Sequence, residues 1–400
     1  MSLSALALSA CKSETIPGGS AQPQATAPPV LLPVPPAVTT PPEPVAPPAG
    51  EAPLAAEAGK VRVALLLPLT GPNGALGNAM LDAAQMALFE VGDKKLQLRL
   101  RDTQGTPQGA ADAARAVLAD GARLIIGPLL AAEVEAVKPI ARAADVSVIA
   151  FSTAKSLAGD GTFLIGFLPR QEIDRVIAFA HAKGANRFAA LAPQTPYGEV
   201  AIEALRAAVE ASGGSIAHAD FYDPAVQDLT PQVKRFAAAG RDFDAMLLPE
   251  GGAQLRALVP LLPYYDIDPD KVHFLGTGLW DDPGLGTEPA LSGGWYAAPP
   301  PAARAEFEKQ YQELYHRMPP RLTTLAYDAV SLAAVLERNE KGPDFSAAAL
   351  TNPSGFAGID GIFRLLPSGL VQRGLAVLEV HRGGNTVVDP APETFQALGY

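Results

Sequence analysis

Ser152-Thr-Ala-Lys155 sets a nucleophile and an amine at the spacing of a covalent serine mechanism, in which the lysine manages the hydroxyl proton. That chemistry needs company. The K-T-G and S-D-N elements that complete such a site are absent, and Ser152 follows a strand pattern instead of opening a long buried helix, so it reads as a cleft-loop or turn serine. Asp266, Asp268 and Asp270 alternate as in a calcium loop, yet Lys271 stands where glycine is required and Thr277 where a bidentate glutamate is required. A solvated, proline-broken turn is the simpler reading. Gly71-Pro-Asn-Gly-Ala-Leu-Gly77 is neither G-x-G-x-x-G nor a phosphate loop, since no Lys-Ser/Thr follows. His181, His218, His273, His316 and His381 are scattered without metal-ligand spacing. No Ser-His-Asp order or supported glutamate pair emerges. The expectation is a non-enzymatic protein with no catalytic residue, cofactor or metal.

Leu8-Ser9-Ala10-Cys11 closes a short apolar run, and Cys11 is the chain's single cysteine, which excludes an internal disulfide. The stretch resembles the lipobox of bacterial lipoproteins, whose cysteine is lipidated and becomes the new N-terminus. Residues 1–11 are therefore a signal and lipobox segment; it is short and lacks a basic start, so a longer leader is expected. Residues 12–58 hold prolines from Pro17 to Pro53, often paired. Proline fixes φ and removes a donor, so this segment is a disordered, extended tether able to reach on the order of 100 Å.

The formal charge of -11 and the lack of a basic cluster argue against nucleic acid. No apolar run approaches the ~20 residues of a transmembrane helix, so membrane contact is expected through lipid alone. From residue 60 onward, strand-like runs such as Val61 to Leu67, Arg123 to Ile126, Val146 to Phe151, Arg187 to Ala192 and Ala245 to Leu248 alternate with helical patterns. The helices expected between them include Gly77 to Phe89, Gln108 to Leu118, Glu133 to Ala143, Gln171 to Lys183, Glu199 to Ala211 and Ala253 to Leu262. Such alternation predicts α/β architecture with doubly wound parallel sheets. Two blocks meeting near Phe167-Leu168-Pro169 predict two Rossmann-like lobes.

Val63-Ala-Leu-Leu-Leu-Pro-Leu-Thr-Gly71, Arg101-Asp102-Thr103, Ile125-Ile-Gly-Pro128, Pro139-Ile-Ala141, Tyr197-Gly198 and Ala326-Tyr-Asp-Ala-Val330 stand in an order that is specific although each is weak. Together, over about residues 61 to 382, they resemble the leucine/isoleucine/valine-binding, type I periplasmic binding proteins. The resemblance implies a type I periplasmic binding protein fold with three inter-lobe crossings. The first lobe would comprise 60–168 plus about 300–345, and the second 169–299 plus about 355–385, including strands at Gly361 to Leu365 and Gly374 to Val380.

Ligands of open α/β sheets lie beyond the carboxyl ends of the strands, where helix N-termini offer backbone N–H groups. That rule selects Thr70, Leu129, Ser152, Thr153, Tyr197 and Glu250 as cleft candidates. Trp280 joins them as either cleft lining or core. Amino-acid binders of the resembled family hold the ligand carboxylate with serines after Gly-Pro or its counterpart; here the loop reads Leu129-Leu130-Ala131-Ala132. Glu250 or Asp281 could receive an α-amino group.

That cleft, with the lipobox and tether, resembles the penicillin-binding-protein activator branch. The main expectation is an envelope lipoprotein, lipid-anchored in the periplasm and more at the outer membrane of a Gram-negative bacterium, whose protein partner is a peptidoglycan synthase. The alternative is a receptor passing an amino acid or small amide to an ABC transporter. The anchor is directly testable: membrane-extracted protein is expected to show an acylated N-terminal Cys11 by mass spectrometry. An unmodified product released to the soluble fraction would contradict it.

Overall fold

A computed structural model describes residues 59–92 and 95–395, so Cys11, the lipobox at 1–11 and the tether at 12–58 lie outside the described residues. In chain order the elements are β1 (Val61–Leu67), α1 (Gly74–Val91), β2 (Leu96–Asp102), α2 (Pro107–Ala119), β3 (Leu124–Ile126), α3 (Ala131–Ala143), β4 (Ser147–Ala150) and β5 (Thr162–Leu164). They continue with α4 (Pro169–Ala182), β6 (Arg187–Pro193), α5 (Pro196–Ser212), β7 (Ser215–Tyr222), α6 (Thr230–Ala239), β8 (Ala245–Leu247), α7 (Gly252–Leu258), α8 (Leu261–Tyr264), β9 (His273–Gly276) and β10 (Trp295–Ala298). The chain ends with α9 (Pro301–Tyr315), α10 (Thr323–Glu337), α11 (Ala347–Leu350), β11 (Phe356–Gly358), β12 (Gly361–Leu365), β13 (Val371–Arg373), β14 (Ala376–Glu379) and β15 (Thr386–Asp389).

The first sheet has strand order β2-β1-β3-β4-β5 and is parallel throughout. Every position of β1 except Arg62 is buried, because α1 and α10 cover one face of the sheet and α2 and α3 the other. A strand covered on both faces must be apolar continuously, which is why it reads so clearly in the sequence. The second sheet runs β7-β6-β8-β9-β10-β14-β15, parallel as far as β10 and antiparallel beyond it. Helices α4 and α5 cover one face and α6 to α8 the other. The expected α/β fold with doubly wound sheets is present.

The chain passes between the two sheet cores three times: after β5, after β10 and between β13 and β14. The third passage falls later than expected. Gly361 to Leu365, expected in the second lobe, is β12, which joins β11 and β13 in a separate three-stranded sheet. Phe363, Leu365 and Val371 bury in the core with α1 and α10, and the Gly369 carbonyl accepts Leu164 N–H at 2.7 Å, docking the β12–β13 turn on edge strand β5. The expected helix Ala253 to Leu262 is two pieces, because Pro260 interrupts it. Trp295 and Tyr296 occupy the buried strand β10. Among the described residues no helix is long and apolar enough to cross a membrane.

Two glycines set how closely helices approach strand ends. A Cβ on Gly77 would lie 2.0 Å from the Pro68 carbonyl oxygen, and one on Gly198 would lie 1.9 Å from that of Pro193. Backbone cannot yield at such distances. Gly198→Ala is expected to lower the free energy of unfolding by roughly 2 to 3 kcal/mol in urea titration and to displace α5. A variant as stable as its parent would mean that this approach is not required.

Candidate ligand cleft

The carboxyl ends of β3 and β4 are stitched together before any ligand is considered. Gly127 N–H donates to Ile149 O at 2.7 Å and Phe151 N–H to Pro128 O at 3.0 Å, across the cis Gly127–Pro128 bond. These bonds put Leu129 to Ala131, where α3 begins, beside Phe151 to Ala154. Buried Glu133 holds the turn by accepting Leu130 N–H at 3.0 Å and the Thr103 hydroxyl. Burial nevertheless raises its pKa. Ser152 is 6 % exposed. Its Oγ accepts Ala154 N–H at 3.1 Å, and its hydroxyl proton has no acceptor among the described residues.

The facing wall comes from the second sheet. Tyr197 lies in the first turn of α5, whose start is capped by Thr195, and its hydroxyl is 2.8 Å from Thr277 Oγ1. Burial, with Glu172 nearby, raises the Tyr197 pKa, so it stays a neutral hydroxyl. Between the walls lies a cavity of about 770 Å³. Leu76, Leu129, Leu130, Phe151, Phe167, Leu279 and Leu322 give it an apolar surface, and Asn73, Ser152, Thr153, Glu172, Tyr197, Asp281 and Arg321 are its polar points.

The rim near the passages between sheets is charged. Glu172, in the first turn of α4, accepts Gly278 N–H at 2.9 Å. Burial pushes its carboxyl up to about 7, against the pull of Gly278 and Arg321. Asp281 is paired with both terminal nitrogens of Arg304. Arg321 Nη2 donates to Asp360 Oδ1 at 2.8 Å, its Nη1 donates to Thr324 at 2.9 Å, and its Nε lies 3.7 Å from Asp281. Its guanidinium carbon sits 4.2 Å from the Phe167 ring centre, with that of Arg373 4.9 Å from the same ring.

Of the seven cleft candidates, the structure brings Leu129, Ser152, Thr153 and Tyr197 together around this cavity. Three are elsewhere. The Thr70 hydroxyl donates to Asp102 at 2.7 Å and fixes the turn after β1. Glu250 accepts the Tyr222 hydroxyl and the Gly251 N–H, so it closes the end of β7 instead of facing a ligand. Trp280 is core: it is fully buried, and its indole N–H donates to Leu248 O at 3.2 Å. Sequence reasoning missed Glu172, Arg321 and Phe167. Asp281, considered as a partner for an amino group, is committed to Arg304. No three-residue His, Cys, Asp or Glu cluster suited to a metal occurs among the described residues.

A family model described as periplasmic binding protein matches residues 60–385. The Leu/Ile/Val-binding protein BraC3 of Rhizobium johnstonii is 26% identical over 222 residues, 50% of this chain and 58% of that protein. The chain spans about half the length of the curated relatives it matches. Among solved structures, a putative branched-chain amino acid ABC transporter protein from Rhodospirillum rubrum shares the fold at a TM-score of 0.72, with 21% identity over 82% of this chain and 100% of that chain. A solute-binding protein of Rhodopseudomonas palustris, in complex with 3,4-dihydroxybenzoic acid, superposes with a TM-score of 0.61 and 20% identity over 83% and 97% of the two chains.

The buried Glu172 has a stability signature. Its proton is retained to about pH 7 in the folded chain, against 4.5 for an ordinary glutamate, so the folded state binds more protons across that window and stability falls as pH rises through it. The loss amounts to roughly 3 kcal/mol; Asp328, shifted in the same direction by burial, adds to it. Glu172→Gln, which can still accept from Gly278, is expected to flatten the decline measured by urea unfolding between pH 5 and pH 8. An unchanged slope would mean that Glu172 is already ionised in the folded chain.

Proposed function

The chain belongs to the periplasmic binding protein family, and from that premise we propose that it is a receptor for a small organic solute, held between the two sheets and passed to an ABC transporter. The observation that carries this reading is the cavity of about 770 Å³ whose polar points come from both walls, the form expected of a ligand site that closes by hinge bending. Ser152 contributes a spare hydroxyl beside the N-terminus of α3, and Tyr197 a second hydroxyl from across the cleft. A leucine/isoleucine/valine-binding name among the relatives and an aromatic acid in a structural neighbour support the same class of function.

This reverses the order of the two functions expected from the sequence. The Leu129-Leu130 loop, read in the sequence as pointing to a synthase activator, lines a cavity instead of filling one. The lipid anchor at Cys11, and outer-membrane attachment with it, belongs to the proposal on the lipobox residues alone.

Calorimetry on the full chain against aliphatic amino acids and aromatic acids is expected to give micromolar affinity for one of these classes. Ser152→Ala and Tyr197→Ala should each weaken binding about tenfold or more, the loss of one hydrogen bond to a charged or polar ligand. No binding of any solute, together with stimulation of a purified synthase that survives both substitutions, would favour the activator function instead.

A further inference from the structure

Among the described residues lining the cavity, Arg321 is the single cation. It is only partly covered, with 28% of its side chain exposed, and Asp360, Thr324 and the Phe167 ring fix its position. The acids around it are already engaged. Asp281 meets both terminal nitrogens of Arg304 and is 9% exposed. Glu172 is buried against Gly278 N–H. Glu250, whose place at a strand end suits an ammonium acceptor, is turned to Tyr222 outside the cavity.

An ammonium group entering this apolar space would lose its hydration without gaining a free carboxylate, a cost of several kcal/mol. A carboxylate would meet a guanidinium that, beyond single bonds from Nη1 to Thr324 and from Nη2 to Asp360, keeps a second N–H on each nitrogen, the donor group whose geometry suits it best. We propose, resting on the receptor function above, that the cleft takes an apolar organic acid without an α-amino group, its carboxylate answered by Arg321 and its hydrocarbon or aromatic body lying against Leu129, Phe151 and Leu279. Ser152 and Tyr197 then serve hydroxyl or carbonyl substituents on that body. The near-neutral Glu172 carboxyl supports this charge balance, since a proton there leaves one less negative charge beside the incoming acid.

The test uses matched ligands on the full chain: leucine against 4-methylpentanoate, phenylalanine against 3-phenylpropanoate, and 3-phenylpropanamide as the neutral analogue. Each acid is expected to bind at least tenfold more tightly than its amino acid and its amide, with acid affinity falling as sodium chloride rises from 20 to 300 mM. Arg321→Gln should remove the preference of acid over amide. If that variant fails to fold, the matched pairs and the salt series on the unaltered chain decide the matter. Amino acids binding as tightly as their desamino partners would overturn this inference and leave the receptor function standing. Silence of the whole panel, amino acids included, would overturn both.

Discussion

The three passages of chain between the sheets meet in a partly buried cluster of opposite charges, and the rim of the cleft depends on it. Phe167 and Glu172 follow the first passage, Arg304 and Arg321 the second, and Arg373 precedes the third. Arg304 pairs with Asp281, Arg321 with Asp360, and Arg373, buried, donates to Ile165 O at 2.7 Å. Taking such charges out of water costs several kcal/mol per ion, and removing one member of a buried pair costs about 3 to 5 kcal/mol because its partner is stranded. The second passage is therefore held by two ion pairs, and Arg373 ties the third to the first through the Ile165 carbonyl. Two of these arginines also lie against the Phe167 ring, which ties the first passage to the other two through cation–π contact.

The part of the fold legible in the sequence is the part governed by local burial. Strands such as Val61–Leu67 and Arg187–Pro193 are covered on both faces and must be apolar in sequence, while the helices between them show one apolar face. Short or mixed elements gave no such signal. Strand β10 is four residues of Trp, Tyr and Ala that resemble a loop, and only its pairing with β9 and β14 makes it central. The β12–β13 hairpin alternates buried and half-buried positions, so the pattern fits either core; its docking on Leu164 decides which.

The cleft divides along the same line. Ser152, Thr153, Leu129 and Tyr197 were recoverable because they stand where strands end and helices begin, a place that the alternation itself marks. Glu172 and Arg321 were not, because an acid in a first helical turn and an arginine after two prolines are ordinary surface residues until the chain folds. Glu172 meets Gly278 across a separation of 106 residues. Trp280 shows the converse: its position at a strand end was right for a ligand contact, but Gly276 leaves room for its ring, since a Cβ there would lie 2.1 Å from it, and the core takes it.

The replacement of serines by Leu129 and Leu130 then has a different meaning from simple loss of a site. A carboxylate site built from hydroxyls after β3 would serve the polar end of an amino acid, while the other end required a free acid. This cleft lacks both features and has in their place an apolar wall and a guanidinium at the rim. The two features are complementary in charge: no uncommitted acid faces an ammonium, and Arg321 offers a guanidinium to an anion. An apolar wall disfavours small polar ligands, whose desolvation no contact would offset, yet it favours a hydrocarbon body by about 25 cal/mol for each Å² it covers. The same residues that make the cleft unlike an amino-acid site are therefore consistent with the proposed acid, whose body would supply affinity while Arg321, the one cation among the described lining residues, would set its charge.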